Sequence, residues 1–78
     1  MNLTVNGKPS TVDGKESVNV TELLVELKVP QAEYVTVELN GEVLEREAFD
    51  ATVVREGDAV EFLYFMGGGN STFPKGAK

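Results

Sequence analysis

The chain has 78 residues, enough for one domain that buries about 60–65 % of its unfolded surface, which argues against a buried active site taking several substrates. It contains no Cys and no His, which excludes disulfides, thiolate nucleophiles, the usual zinc ligands and the side chain best suited to proton transfer near neutrality. The net charge is −6 and all 13 acids lie between Asp13 and Glu61, a balance that disfavours nucleic acid and suits either a partner with a basic surface or simple solubility.

Asn2 to Asn6 places Leu3 and Val5 on one face and Thr4 on the other. Asn6-Gly7 predicts a tight turn, and Ser10 to Val12 the returning strand of a hairpin; Asp13-Gly14-Lys15 closes that unit. Asn19-Val20-Thr21-Glu22 has the spacing of a capping box, in which Asn19 accepts from an early helical N–H and Glu22 reaches back. Val20, Leu23, Leu24 and Leu27 then form one apolar stripe on a short helix that Pro30 is expected to end. That stripe needs a surface to cover, and the strands supply it.

Tyr34 to Leu39 alternates Val35, Val37 and Leu39 with Thr36 and Glu38, the pattern of a half-buried strand, and Asn40-Gly41 turns it toward Glu42-Val43-Leu44. Glu45 to Asp50 reads as a loop or one helical turn holding down Phe49. Val53-Val54 and the turn Arg55-Glu56-Gly57-Asp58 lead into the last strand, an apolar run from Val60 to Met66. The order ββαβ(β)β, with a right-handed connection through the helix, sets the third segment or the last strand parallel beside the first. The expected fold is α+β of the β-grasp kind, a mixed sheet of four to five strands with one main helix on one face, over residues 1–66. No window carries a signal peptide or membrane span, so a cytoplasmic protein without membrane association is expected.

The last strand runs without a turn into Gly67-Gly68-Gly69, a backbone thin enough to enter a narrow enzyme channel. Taken alone, the glycines equally suit a linker. Residues 70–78, Asn-Ser-Thr-Phe-Pro-Lys-Gly-Ala-Lys, have the composition of an unstructured extension, and Gly69 has a free carboxylate only once they are removed.

Five blocks carry a family resemblance: Met1-Asn2-Leu3-Thr4-Val5-Asn6-Gly7; Val20-Thr21-Glu22-Leu23-Leu24; Val37-Glu38-Leu39-Asn40-Gly41-Glu42-Val43; Glu56-Gly57-Asp58-Ala59-Val60-Glu61-Phe62; and Phe65-Met66-Gly67-Gly68-Gly69. Their order and spacing over residues 1–69 resemble the ThiS family of sulfur carriers in the ubiquitin-like MoaD/ThiS superfamily. The resemblance implies a non-enzymatic carrier, binding no cofactor or metal, whose terminal glycine is adenylated with ATP by an E1-like, ThiF-like adenylyltransferase. Sulfur from a donor such as a cysteine desulfurase then replaces AMP, and the thiocarboxylate feeds a ThiG-like thiazole synthase of thiamine biosynthesis. It assigns the reacting carboxylate to Gly69 and tail threading to Gly67 and Gly68, with Gly68 as the other register for the reacting residue. Family members generally stop at the glycines, so a processing peptidase that cuts after Gly69 is expected. A monomer is expected when the carrier is free.

Along the last strand Val60, Phe62 and Tyr64 share one face, and Glu61, Leu63 and Phe65 the other. Because Glu61 faces water, Leu63 and Phe65 are the candidate docking patch for a partner, or else ordinary core at the strand's end. Glu45, Glu47 and Asp50 lack regular cation-ligand spacing and read as a solvated face. Arg46 and Arg55 are candidate anion contacts, or surface partners of nearby carboxylates. Asn19-Val20-Thr21 and Asn70-Ser71-Thr72 match the glycosylation acceptor by chance, given no export signal. Two rival functions stay open: a protease-matured carrier serving molybdopterin, cysteine or homocysteine formation, and a non-covalent β-grasp interaction module.

Overall fold

The computed structural model describes residues 1–65. Strands β1 (Asn2–Val5) and β2 (Lys8–Thr11) form the predicted hairpin, with Leu3 opposite Ser10 and Val5 opposite Lys8. Asn6 and Gly7 both take left-handed backbone angles, φ 52° and 82°. That pair of angles gives a turn whose twist matches the strands it joins, which is why Asn-Gly occurs there. The same device recurs at Asn40 and Gly41, between β4 (Thr36–Leu39) and β5 (Glu42–Val43).

Between the first hairpin and the helix lies a strand absent from the predicted order. This β3 (Ser17–Asn19) pairs antiparallel with β6 (Val53–Arg55) as a separate two-stranded sheet, setting buried Val18 opposite buried Val54. It leads into α1 (Val20–Glu26), whose capping box forms as predicted. Glu22 N donates to Asn19 Oδ1 at 2.7 Å, and Asn19 N donates to Glu22 Oε1 at 2.9 Å. Val20, Leu23 and Leu24 are buried and Leu27 is half-buried, so the whole apolar stripe faces the sheet.

The helix stops before Pro30 is reached. Lys28 turns into the left-handed region (φ 55°), its N–H donates to Val25 O at 3.1 Å and the Val29 N–H to Leu24 O at 3.0 Å. These two bonds satisfy the last helical carbonyls in a Schellman closure, a motif that favours glycine at the left-handed position. Lysine there carries a backbone cost of about 1–2 kcal/mol, part of which glycine would return as unfolded-chain entropy. Lys28→Gly is therefore expected to stabilise the fold by about 0.5–1 kcal/mol, raising Tm by about 4–8 °C per kcal/mol. Denaturant titration would read it; a loss of stability would show that the lysine side chain matters more than its backbone.

After β5, a single 3₁₀ turn over Arg46–Ala48 seats Phe49 in the core, as expected. Arg46 departs from both readings made of it, because its guanidinium finds backbone carbonyls. Nη1 donates to Ala32 O at 3.1 Å and Nη2 to Val35 O at 2.8 Å, with the guanidinium carbon 5.0 Å from the centroid of the Phe49 ring. The planar fork ties the approach to β4 onto the 3₁₀ turn, a task for arginine and not lysine. Among the described residues the one ion pair is Lys15–Glu26, at 4.0 Å and exposed, so Arg55 also lacks the predicted carboxylate partner.

The last strand, β7 (Ala59–Leu63), completes a five-stranded mixed sheet in the order β2-β1-β7-β4-β5. It runs parallel to β1 and antiparallel to β4, which is the second of the two predicted placements. The architecture is thus the expected α+β mixed sheet with one helix on one face. Leu3, Leu23, Leu24, Val37, Val60 and Phe62 belong to one contiguous core that also includes Val54 and Phe49. On the opposite face the register places Thr36 opposite Leu63 and Glu38 opposite Glu61.

Candidate functional site

The last strand lies in the middle of the main sheet. β7 is flanked by β1 and β4, and Leu63, its last residue, stands four positions before Gly67. Both Asn-Gly turns reach over to hold it. Asn6 N donates to Val60 O at 2.9 Å while its side-chain Oδ1 accepts from Phe62 N at 2.8 Å. Asn40 N donates to Ala59 O at 2.7 Å while its Oδ1 accepts from Ala59 N at 2.9 Å. Each asparagine therefore replaces a ladder partner at a point where the neighbouring strand has turned away.

Beyond the strand, Tyr64 fixes the exit. Its hydroxyl donates to Pro30 O at 2.6 Å, fastening the end of the sheet to the loop behind the helix. Desolvation by burial pushes the phenol above its ordinary value. Since the folded pKa is raised, this contribution is present in full below the unfolded phenol pKa of about 10 and is lost as pH rises through the folded value. Tyr64→Phe is expected to lower stability by about 0.5–1.5 kcal/mol at neutral pH and to weaken the alkaline decline. Urea unfolding at pH 7 and above pH 10 would check both.

Of the two docking candidates, Leu63 ends β7 and Phe65 lies two residues beyond it. Leu63 is half-buried on the side of β7 that carries exposed Glu61, Phe65 is 56% exposed, and Val60 and Phe62 are buried in the core. On the helix side of the same strand lies a shallow groove of about 320 Å³, lined by Val5, Leu27, Val29, Phe62 and Tyr64 among others. Gly67, Gly68 and Gly69 lie outside the described residues, as do Met66 and residues 70–78.

The lesser candidates find local uses. Asp50 Oδ1 accepts the Thr21 hydroxyl at 2.5 Å, and among the described residues no group of three or more carboxylates is placed to hold a metal ion. Asn19 spends its carboxamide on the helix cap. Among the described residues no helix is long and apolar enough to cross a membrane. Sequence reading missed Asn6, Asn40 and Tyr64 as anchors of the exit strand. The first two carried a signal in their Asn-Gly pairs, which was spent on the turns alone.

A model of the ThiS family matches residues 3–69. The chain is also similar to the crystal structure of a thiamine biosynthesis protein (ThiS) from Geobacter metallireducens, with 88% identity and a TM-score of 0.85, covering 88% of this chain and 100% of that one. An NMR solution structure of a thiamine biosynthesis protein from Geobacter metallireducens aligns at 87% identity and a TM-score of 0.73, covering 90% of each chain. Comparison with curated proteins gave no match.

Proposed function

This chain belongs to the ThiS family, and on that premise we propose that it carries sulfur on the carboxylate of Gly69 for thiamine thiazole formation. The observation that supports this reading best is where the family match ends. It runs through residue 69, the last of three glycines that follow the central strand by a few residues.

The chemistry divides between carrier and partner. A carboxylate is a poor electrophile, so one of its oxygens first attacks the α-phosphorus of ATP on a ThiF-like adenylyltransferase, and pyrophosphate leaves. The terminal sulfur of a persulfide on a donor such as a cysteine desulfurase then displaces AMP. A second thiol attacks the donor's inner sulfur to form a disulfide and release the thiocarboxylate, and this passes to a ThiG-like thiazole synthase. Binding energy and the leaving group come from the partner. The carrier supplies a reachable end and a rigid body. Gly67 and Gly68 keep the chain narrow inside the channel, while Leu63 and Phe65 dock the body. Residues 70–78 lie beyond the family match, and a peptidase cut after Gly69 would free the carboxylate.

The test is to incubate a chain ending at Gly69 with the adenylyltransferase of the same host, ATP and a sulfur donor, and to weigh the product. The expected result is the mass gain of one oxygen exchanged for sulfur; no gain would favour a non-covalent module. Leu63→Asp addresses docking, with loss of partner binding at an unchanged melting temperature as the expected outcome. Unfolding instead would place Leu63 among the core residues.

A further inference from the structure

Glu38 and Glu61 stand directly opposite each other on adjacent strands, on the sheet face turned away from α1. Residues so placed have β-carbons about 4.5–5.5 Å apart, and like charges there destabilise a sheet. Among the described residues neither forms an ion pair. The register puts Thr4, Thr36, Val43, Ala59 and Leu63 on the same side, and Lys15–Glu26, the ion pair among the described residues, lies elsewhere. Arg46 is committed to carbonyls beside the core. A threonine at either glutamate position would pair better and suit a strand better.

The pair is also framed by apolar side chains. Leu63 lies two residues along β7 from Glu61, and Val43, opposite Glu38 on β5, is 62% exposed. A doubly acidic centre with an apolar rim complements a cation that arrives with its own apolar surround. Arginine suits this better than lysine, because its planar fork of five N–H groups can serve two carboxylates at once. We propose that Glu38 and Glu61 together receive one arginine side chain of the adenylating partner, whose neighbouring apolar residues cover Leu63 and Val43. The inference rests on the carrier reading and adds to it the electrostatic contact that selects the partner. An unfavourable opposition in the free chain becomes a favourable triad in the complex, which separates right partners from wrong ones more sharply than apolar contact alone.

The experiment compares wild type, Glu38→Gln, Glu61→Gln and the double variant, each ending at Gly69. Calorimetry measures affinity for the adenylyltransferase of the same host at two salt concentrations, and thermal melts follow the free chains. Each single substitution is expected to weaken binding by at least about tenfold and to flatten its salt dependence, while raising the melting temperature of the free chain. Opposite signs on binding and stability are what neither a solubility role nor a structural role produces. Glutamine variants that bind as wild type yet still acquire sulfur overturn the contact and leave the carrier reading standing. A fall in melting temperature on substitution, or a wild type that does not bind, also overturns the contact. Wild type that binds tightly but gains no sulfur sinks the carrier reading, while the affinity comparison still decides the contact.

Discussion

A Gly68→Val chain ending at Gly69 is expected to lose thiocarboxylate formation by at least about a hundredfold while keeping its melting temperature and its affinity for the adenylating partner. The argument starts from what a side chain adds. Glycine presents only backbone to the walls of a channel, and it reaches φ values that a β-branched residue cannot. Valine widens the chain one residue before the reacting carboxylate and narrows the dihedrals that aim it. Displacement of a reacting atom by about 1 Å costs on the order of a hundredfold in rate. On the proposed reading the docking residues, Leu63, Phe65, Glu38 and Glu61, all stand several residues before Gly68, so the substitution leaves binding in place. ATP–pyrophosphate exchange at saturating carrier would read the loss. A valine chain activated at the wild-type rate would show that the channel does not select for glycine at this position.

The second large effect falls on stability, at Asn6. Asn6→Ala forces alanine into a left-handed conformation (φ 52°), at about 1–2 kcal/mol. It also strips the acceptor from the Phe62 N–H, which is partly buried, at about 1–3 kcal/mol. The expected sum, about 2–5 kcal/mol, is a large share of the roughly 4–12 kcal/mol that a chain of this length commands. Asn6→Gly separates the two contributions, since it keeps the turn and loses only the acceptor. Denaturant midpoints should rank wild type above glycine above alanine. Glycine matching wild type would show that the Phe62 amide finds another partner.

The hairpin turns, the capping box, the seat of Phe49 and the split faces of the last strand were legible in the sequence because each is set by chemistry within a few residues. Asn-Gly adopts paired left-handed angles almost wherever it falls between strands, and Asn19 with Glu22 closes its own ring of hydrogen bonds. β3 was not legible. Ser17–Asn19 holds one apolar residue, and its strand character comes entirely from β6, some thirty-five positions away. The end of α1 was misplaced because Pro30 is a visible stop, whereas lysine in a glycine position is not. Arg46 was misread because backbone carbonyls do not appear in a sequence as partners, although they outnumber carboxylates in every fold. That Glu61 and Leu63 share one face of β7 was legible from alternation alone. Glu38 facing Glu61 required the register, which a strand pattern does not specify.

The central place of β7 also has a mechanical consequence. A pull on the C-terminal tail along the strand direction loads the hydrogen bonds to β1 and β4 together, in shear, instead of peeling them one by one from an edge. Asn6, Asn40 and Tyr64 add side-chain rivets along the same line. Forced unfolding is governed by the barrier and not by equilibrium stability, so a small domain of modest free energy can still resist tugging at this one end. On the proposed carrier reading, an enzyme can therefore draw the tail taut, work on it and let it go, and the body behind it stays folded.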